Sequence, residues 1–313
     1  MATPLIITAG NRRFYEDLRR FVTTLRGAGQ YAGRIVVCDN VITGTWDMPG
    51  TYLDESGFDD EHLAFFRSED VDVVRFADLV SRNGIARDDI ESIQGRTQRY
   101  PYKFIYSCLL SKEALRSTST VYYFDSDVIF QRPISELADA INPGRIYMTP
   151  EHSPIGDLRF MSEWIRTTDV STGSDNDSFV RTMYKADNLC TGFLAGDTAT
   201  FNRFMQLCWA LASSRTIAFH TDQPLVNIVH SYFGYPITRL GKDMVLHLKG
   251  APEGSVSTDG GRILYEGAPP IAVHFNGASR DVVVDGDGEM QLVLTPRKKP
   301  TLIGKALRRL RGR

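Results

Sequence analysis

The stretch VYYFDSDVIF (residues 121–130) decides the fold class of this chain. Its first four residues form an apolar and aromatic run that is typical of a buried strand, and two acids, Asp125 and Asp127, follow directly. Ionised carboxylates are unfavourable to bury without a partner, and two that stand two residues apart point the same way. The apolar residues VIF come next, so we expect the acids to interrupt a strand and not to end one.

Strands and helices alternate on both sides of this stretch. Short apolar runs predict strands at 5–8, 34–38, 71–76, 188–197, 245–248 and 271–275. Amphipathic patterns predict helices after Asn11, which would cap the first of them, and over 102–115, 197–212 and 220–233. Strands separated by helices indicate a parallel sheet with helices on both faces. Residues 150–187 interrupt this order with a polar patch at 171–178, which is typical of a functional loop.

The composition is that of a globular protein with ample material for a core. Of 313 residues, 42% are hydrophobic and 24% are charged, and no apolar run is long enough for a membrane span. The N-terminus lacks the features of a signal peptide, which predicts a cytoplasmic protein. Four cysteines lie in apolar segments without a CxxC pair, so we expect buried free thiols.

Basic charge is concentrated in the last seventeen residues. Eight of the 36 Lys and Arg residues lie in 297–313, so the remaining chain has 28 basic against 38 acidic residues. An acidic body excludes the spread of positive charge that nucleic-acid binding requires. The apolar positions of the tail have helical spacing, which predicts peripheral attachment to an anionic inner membrane face; the alternative is a disordered, solvated terminus. We therefore predict one domain over 1–296 and a basic amphipathic tail over 297–313.

Three further groups are candidates for chemistry. His274 follows an apolar run, Asp222 and Gln223 begin a helical pattern, and Gly192 lies in the strand CTGF. Each has an ordinary structural explanation. His274 could be a hydrogen-bonded histidine at a strand end, Asp222 could cap a helix whose first turn contains a proline, and Gly192 could mark a bulge or a close backbone approach. The acids 125 and 127 could likewise cap a turn, or they could bind a hard divalent cation at the carboxyl end of a strand.

The order of these motifs resembles the GT-A glycosyltransferases. In particular it is similar to the retaining, nucleotide-sugar-dependent set that includes glycogenin and the bacterial lipooligosaccharide galactosyltransferases. The resemblance spans about residues 3–282 and implies an α/β, Rossmann-like fold with a mixed, mostly parallel central sheet. Three positions depart from that pattern: Cys190 stands in place of an asparagine, Pro224 in place of an acid, and RDVVV (280–284) lacks a Pro-Trp pair.

The resemblance assigns roles to individual residues. Asp125, Asp127 and His274 would hold Mn²⁺ or Mg²⁺ on the donor diphosphate. Asp222 and Gln223 would lie beside the donor sugar as the catalytic pair. The remaining donor contacts would be Ala9 and Asn11 at the uridine, Lys103, and, at the diphosphate, Gly277 and Arg280.

The expected function is transfer of a hexose from a UDP-sugar to a glycan or lipid-linked acceptor, with retention of configuration. Phe160, Trp164 and Tyr184 could stack on the acceptor, although each could equally be core. Two alternatives remain: a non-catalytic domain that binds nucleotide sugars or carbohydrates, and a sugar-nucleotidyltransferase. The second is disfavoured because TAGNRRFYED (8–17) contains one glycine and lacks a triphosphate-binding loop.

Overall fold

A computed structural model describes residues 3–39, 57–86, 102–157, 176–213 and 222–275, together with the backbone of two short C-terminal strands, Val282–Val284 and Met290–Leu292. Among these residues, no helix combines the length and apolarity that crossing a membrane requires. Several predictions lie outside the described residues: those for Gly277, Arg280, Phe160, Trp164 and the tail 297–313.

The N-terminal half alternates strand and helix as predicted. Asn11 caps a short 3₁₀ helix, Arg12–Phe14, with its side-chain oxygen accepting from the Arg13 N–H at 3.0 Å, and α1 follows directly. The elements of this half are β1 (Leu5–Gly10), α1 (Tyr15–Arg26), β2 (Ile35–Asp39), α2 (Asp60–Ser68), β3 (Val71–Arg75), α3 (Phe76–Arg82), α4 (Tyr102–Ala114) and β4 (Thr120–Phe124).

The C-terminal half is richer in short strands. Its first part contains β5 (Val128–Phe130), α5 (Ser135–Ala138), β6 (Ile146–Pro154), a 3₁₀ turn (Ile155–Asp157), α6 (Asn176–Lys185), β7 (Asp187–Asp197), α7 (Thr198–Ser213) and α8 (Asp222–Ser231). Its second part contains β8 (Ile237–Arg239), β9 (Val245–His247), β10 (Val256–Asp259), β11 (Arg262–Tyr265), β12 (Ala272–His274), β13 (Val282–Val284) and β14 (Met290–Leu292). The interruption predicted at 150–187 is thus partly regular, because its described ends belong to β6 and α6.

In the described residues, seven strands form the central sheet in the order β3-β2-β1-β4-β7-β6-β8. Neighbours are parallel except for β7, which runs antiparallel to both β4 and β6. The mixed, mostly parallel sheet expected from the sequence is therefore confirmed. Four parallel neighbours, β3, β2, β1 and β4, direct their carboxyl ends to one edge, where ligands of open α/β sheets bind.

Side chains of each strand alternate between two cores on opposite faces of the sheet. In β4, Val121 and Tyr123 pack on one face with helices α4, α7 and α8, whereas Tyr122 and Phe124 pack on the other with α1. All four cysteines are buried and free, as predicted. Asp125, the residue after β4, lies on the same side as Tyr123, whose hydroxyl donates to it.

The two acids lie where the chain crosses from one sheet to another. Strand β4 ends at Phe124, and β5 belongs to a separate three-stranded sheet with the order β5-β12-β9. The Asp125 N–H still donates to the Gly192 carbonyl of β7 at 2.9 Å, but the Asp127 carbonyl accepts from Phe275, next to β12, at 3.1 Å. The expectation that the acids interrupt one strand was wrong, because the apolar runs on either side pair with different partners.

Candidate functional site

The register of the two sheets brings the predicted acids and histidine together. His274 in β12 pairs with Val128, the residue after Asp127, and with His247 in the parallel neighbour β9. On the other side, Phe124 pairs with Phe193, so that Asp125 lies next to Gly192. Residues from three distant segments thus meet at the crossing between the sheets.

Asp125, Asp127 and His274 form a group that could hold a metal ion. The His274 Nε2 lies 3.0 Å from an Asp127 oxygen and 3.6 Å from Asp125 Oδ2, and one ligand atom of each residue lies within 4.8 Å of the other two. The carboxyl groups are 30% and 26% exposed, whereas His274 is only 4% exposed, so an ion can reach the acids from solvent with the imidazole behind. Two hard oxygens and one imidazole nitrogen suit Mg²⁺ or Mn²⁺ better than a soft metal.

Gly192 makes room for the histidine ring. A Cβ atom at this position would lie 2.1 Å from Cε1 and 2.3 Å from Nδ1 of His274, so the buried ring would have to move. Both structural explanations for this glycine apply. The pairing of β6 with β7 shifts register between Tyr147–Ala195 and Thr149–Cys190, the part of β7 that contains Gly192, and the His274 ring approaches the glycine closely.

Lys103 is the buried cation of the site. Its ammonium lies 3.0 Å from Asp125 Oδ1 and 2.5 Å from Asp222 Oδ2, and it donates to the Thr191 carbonyl at 3.1 Å. Burial by itself would lower the pKa of Lys103, but the carboxylates of Asp125 and Asp222 outweigh it and raise that pKa above its ordinary value. The lysine therefore stays charged and joins helix α4 to the start of α8 and to the acidic turn.

One oxygen of Asp125 is already committed to the protein. Tyr123, two residues earlier on the same face of β4, donates its hydroxyl to Asp125 Oδ1 at 2.7 Å, and Tyr106 donates to Tyr123 at 3.1 Å. Burial, followed by the charge of Asp125, raises the pKa of Tyr123 well above its ordinary value, so this hydroxyl remains a donor. The remaining oxygen, Oδ2, is the one directed towards His274.

His274 has a second histidine behind it. Its Nδ1 lies 3.1 Å from Nδ1 of the buried His247, and the Cys190 sulfur lies 3.6 Å from the same atom. Burial would lower the pKa of His274, but the Asp127 carboxylate overrides it and raises that pKa well above the ordinary value. His247 shows the opposite shift: burial and the neighbouring His274 both lower its pKa, so it is neutral.

Gln223 belongs to a polar cluster beside this group. Its amide nitrogen donates to Glu151 Oε1 at 3.0 Å and to the Asn188 oxygen at 2.8 Å, while Asn188 donates to the other Glu151 oxygen at 2.8 Å. Asn227 bonds both backbone groups of Leu189, which attaches α8 to β7. The amide nitrogen of Gln223 is thus held in place, and its carbonyl oxygen is the part left for a ligand.

Ala9 and Asn11 lie at the same edge of the sheet. Ile7 pairs with Tyr123, so Ala9 and Asp125 each lie two residues further along neighbouring strands. The last residue of β1 pairs with the buried Asp39 at the end of β2. The carboxyl ends of these strands form the expected position for a nucleoside, although the Asn11 side chain itself is used as a helix cap.

Several residues of the site carried no recognisable signal in the sequence. Glu151, Asn188, Tyr123 and His247 lie in segments whose pattern indicates only strand or loop. Glu151, Asn188 and His247 join the site through partners distant in sequence, and Tyr123 joins it through Asp125, two residues further on. Only the alternation of β4 could have placed Tyr123 and Asp125 on one face.

Comparisons by structure identify the fold, whereas no family model matches the chain and no curated protein matches its sequence. The galactosyltransferase LgtC, solved in complex with donor and acceptor sugar analogs, is 13% identical with a TM-score of 0.52, over 91% of each chain. Mouse xyloside xylosyltransferase 1 is also 13% identical with a TM-score of 0.52, over 88% of this chain and 98% of its own. The bifunctional glycosyltransferase WbbM is 12% identical with a TM-score of 0.51, over 88% of this chain and 46% of its own.

The solved structures named here are all glycosyltransferases, and they share with this chain a mixed α/β architecture that covers most of its length. The chain therefore has the GT-A glycosyltransferase fold that the order of its motifs predicted.

Proposed function

We propose that the chain is a metal-dependent glycosyltransferase that moves a hexose from a UDP-sugar to a glycan or lipid-linked acceptor, with retention of configuration. The observation that carries the proposal is the meeting of Asp125, Asp127 and His274 at the crossing between the two sheets, with Oδ2 of Asp125 and an oxygen of Asp127 on the side of Nε2. The donor and acceptor analogs bound by LgtC, which has the same fold, support a nucleotide-sugar donor and a sugar acceptor.

The donor set fits a divalent cation. Asp125, Asp127 and His274 would hold Mn²⁺ or Mg²⁺, and the bound ion would neutralise charge on the departing nucleoside diphosphate. Lys103 and Tyr123 hold Asp125 Oδ1, which leaves Oδ2 oriented towards the ion. Because these partners are buried, the carboxylate needs little rearrangement when the donor binds.

Gln223 and Asp222 are the residues that we assign to the donor sugar. The contacts from Glu151 and Asn188 fix the Gln223 amide so that its carbonyl oxygen is available to a sugar carbon that gains positive charge. With retention, the acceptor oxygen attacks from the face that the diphosphate leaves. The anomeric bond to phosphate breaks, the bond to the acceptor forms, and the acceptor proton passes to the leaving phosphate oxygen.

The remaining expected contacts complete the proposal. Ala9 and Asn11 would receive the uridine, Gly277 and Arg280 would contact the diphosphate, and Tyr184 would contribute to the acceptor side. Residues 297–313 would attach the protein to an anionic membrane surface. Cosedimentation with vesicles that contain phosphatidylglycerol, compared with vesicles of phosphatidylcholine alone, tests that attachment.

A panel of UDP-sugars with Mn²⁺ tests the central proposal. We expect release of UDP with one or a few donors, loss of that release in EDTA and its return with excess Mn²⁺. Undiminished release in EDTA would overturn the metal site. Tight binding of a UDP-sugar without any release or transfer would favour the non-catalytic alternative, and formation of pyrophosphate from a nucleoside triphosphate would favour the nucleotidyltransferase.

A further inference from the structure

His247 is a buried polar residue that none of the proposed steps uses. It ends strand β9, is fully inaccessible to solvent, and lies directly beside His274 in the parallel pair of β9 and β12. Burying an imidazole is unfavourable unless its ring nitrogens have partners. Both nitrogens of His247 have one, and those two partners determine where its proton lies.

The first partner is the backbone. The Nε2 of His247 lies 3.3 Å from the Thr149 carbonyl in β6, and a carbonyl oxygen can only accept a hydrogen bond. Nε2 must therefore carry the proton. A neutral imidazole has one donor and one acceptor nitrogen, so Nδ1 of His247 is the acceptor.

The second partner is His274. The two Nδ1 atoms are 3.1 Å apart, and because His247 accepts, the proton between them belongs to His274. With its proton on Nδ1, His274 presents Nε2 to Asp127 and Asp125, at 3.0 and 3.6 Å. The carbonyl of Thr149 thus determines, through two rings, that Nδ1 of His274 carries a proton, and Nε2 is the nitrogen available to an ion at the acidic turn.

We propose that His247 is the positioning residue of the metal site: it accepts the Nδ1 proton of His274 and keeps the Nε2 lone pair directed at the ion held by Asp125 and Asp127. This inference rests on the metal site of the proposed function. Histidines that bind metals usually donate their second nitrogen to a carboxylate, a carbonyl or a water, and that partner fixes the tautomer and the ring orientation. Here the acceptor is a second histidine.

Two other readings of the same cluster are less consistent with its geometry. The Cys190 sulfur is also near His274 Nδ1, but at 3.6 Å it is the longer contact, and a thiol is a weak hydrogen-bonding group. Cys190, His247 and His274 could together bind a soft metal, since their ligand atoms lie within 4.8 Å. Within the described ranges no fourth His, Cys, Asp or Glu joins these three, whereas structural zinc takes four ligands.

Long-range ¹⁵N–¹H correlation spectra of histidine-labelled protein read the proton positions directly. We expect Nε2 of His247 to be protonated and its Nδ1 to be unprotonated, in the metal-free protein as well as with Mg²⁺ and UDP. Addition of Mg²⁺ and UDP should change Nε2 of His274 and leave its Nδ1 protonated. A proton on Nδ1 of His247, or an unprotonated Nδ1 on His274, overturns the proposal.

A matched pair of variants separates this role from packing. His247→Asn keeps an acceptor near the Nδ1 position and loses the contact to Thr149, whereas His247→Gln keeps a donor for Thr149 and loses the acceptor. With UDP present, we expect Mn²⁺ affinity measured by electron paramagnetic resonance to fall about tenfold to a hundredfold in His247→Gln and clearly less in His247→Asn. Circular dichroism verifies that both variants are folded.

Equal losses of affinity in the two folded variants would show that His247 only fills space, and would overturn the proposal. One equivalent of zinc that survives EDTA, and is lost in Cys190→Ala, would overturn it in favour of the soft-metal site. Failure of the native protein to bind Mn²⁺ would overturn the proposed metal site itself. That outcome is distinguishable, because the tautomer of His247 is measured in metal-free protein.

Discussion

The ladder between β4 and β7 has an aspartate at each of its ends, and the two are held in different ways. At the carboxyl end of β4, Asp125 meets the ammonium of Lys103 and faces the imidazole of His274. At the other end, Thr120 pairs with Asp197, whose carboxylate accepts from the backbone N–H groups of Thr200 at 3.0 Å and Gly144 at 2.6 Å. One acid is matched by charged side chains and the other by neutral peptide donors.

This difference follows from how many charges are gathered at each end. Asp197 is a single, partly exposed charge, and two peptide donors are sufficient for it, one from Thr200 in the first turn of α7 and one from Gly144 before β6. At the other end, Lys103 contacts Asp125 and Asp222, and His274 contacts Asp127; with His274 protonated, these three carboxylates and two cations have one net negative charge. A divalent ion that replaces the His274 proton would bring the group to neutrality, which supports the cation site that we propose at this end of the ladder.

The largest effect is expected from Asp127→Asn, which removes a charge from the proposed metal site and keeps the shape of the side chain. Because a bound ion contributes several kcal/mol to stabilising the leaving diphosphate, release of UDP should fall by about a thousandfold or more. The assay is UDP release at saturating Mn²⁺, with thermal unfolding to verify the fold. The control is Asp197→Asn at the other end of the ladder, which should retain full activity; equal losses in both variants would remove the distinction between the two ends.

Lys103→Met should produce the largest loss of stability. Removal of the buried cation leaves Asp125 and Asp222 without their partner, and breaking a buried ion pair from one side lowers the free energy of unfolding by about 3–5 kcal/mol. Urea unfolding measures this loss. The double variant Lys103→Met, Asp222→Asn should recover part of it, because one of the two unpaired charges is then gone; strict additivity of the two changes would contradict the coupling.

Gly192→Ala should lower both stability and Mn²⁺ affinity at the Asp125 end of the β4–β7 ladder without changing any charge. The new methyl group would overlap the His274 ring, and overpacking of this kind lowers the free energy of unfolding by about 1–3 kcal/mol. Because the ring must move, Mn²⁺ affinity should fall together with stability. Isothermal titration with Mn²⁺ and UDP checks the first effect and urea unfolding the second. Native affinity in the folded variant would mean that the position of the ring is not important for binding.

Asp197→Ala should give the smallest effect, a loss of about 1 kcal/mol, as is usual for a helix cap, with UDP release unchanged. Burial opposes the charge of Asp197, but the N–H groups of Thr200 and Gly144 outweigh it and hold its pKa below the ordinary 3.8. As the pH falls, the unfolded chain binds a proton at Asp197 before the folded chain does. The stabilisation from Asp197 is therefore present above about pH 3.8 and is lost as the pH falls through the lower folded pKa. Thermal unfolding of native protein and variant should converge in acid; a constant difference across this range would contradict that assignment.

The sequence by itself determined the local parts of this protein. Alternating apolar runs and helical stripes predicted the strands β1, β2 and β4 and the helix α1, because these patterns depend only on neighbouring residues. The order of the acidic pair, the glycine strand, the Asp222-Gln223 pair and His274 also predicted the fold, since that order is a property of the chain. The burial of all four thiols followed from their apolar surroundings.

Only the tertiary structure decided how those parts meet. The run VIF after the acids is indistinguishable in sequence from a continued strand, yet it pairs with β12 and turns the acids into the crossing between two sheets. Lys103 finds Asp222, and His247 finds His274, through pairings between segments far apart in the chain. A strand pattern specifies which faces are buried and not which strand lies beside it, so the cation partner of each acid and the histidine behind His274 appear only when the sheets are assembled.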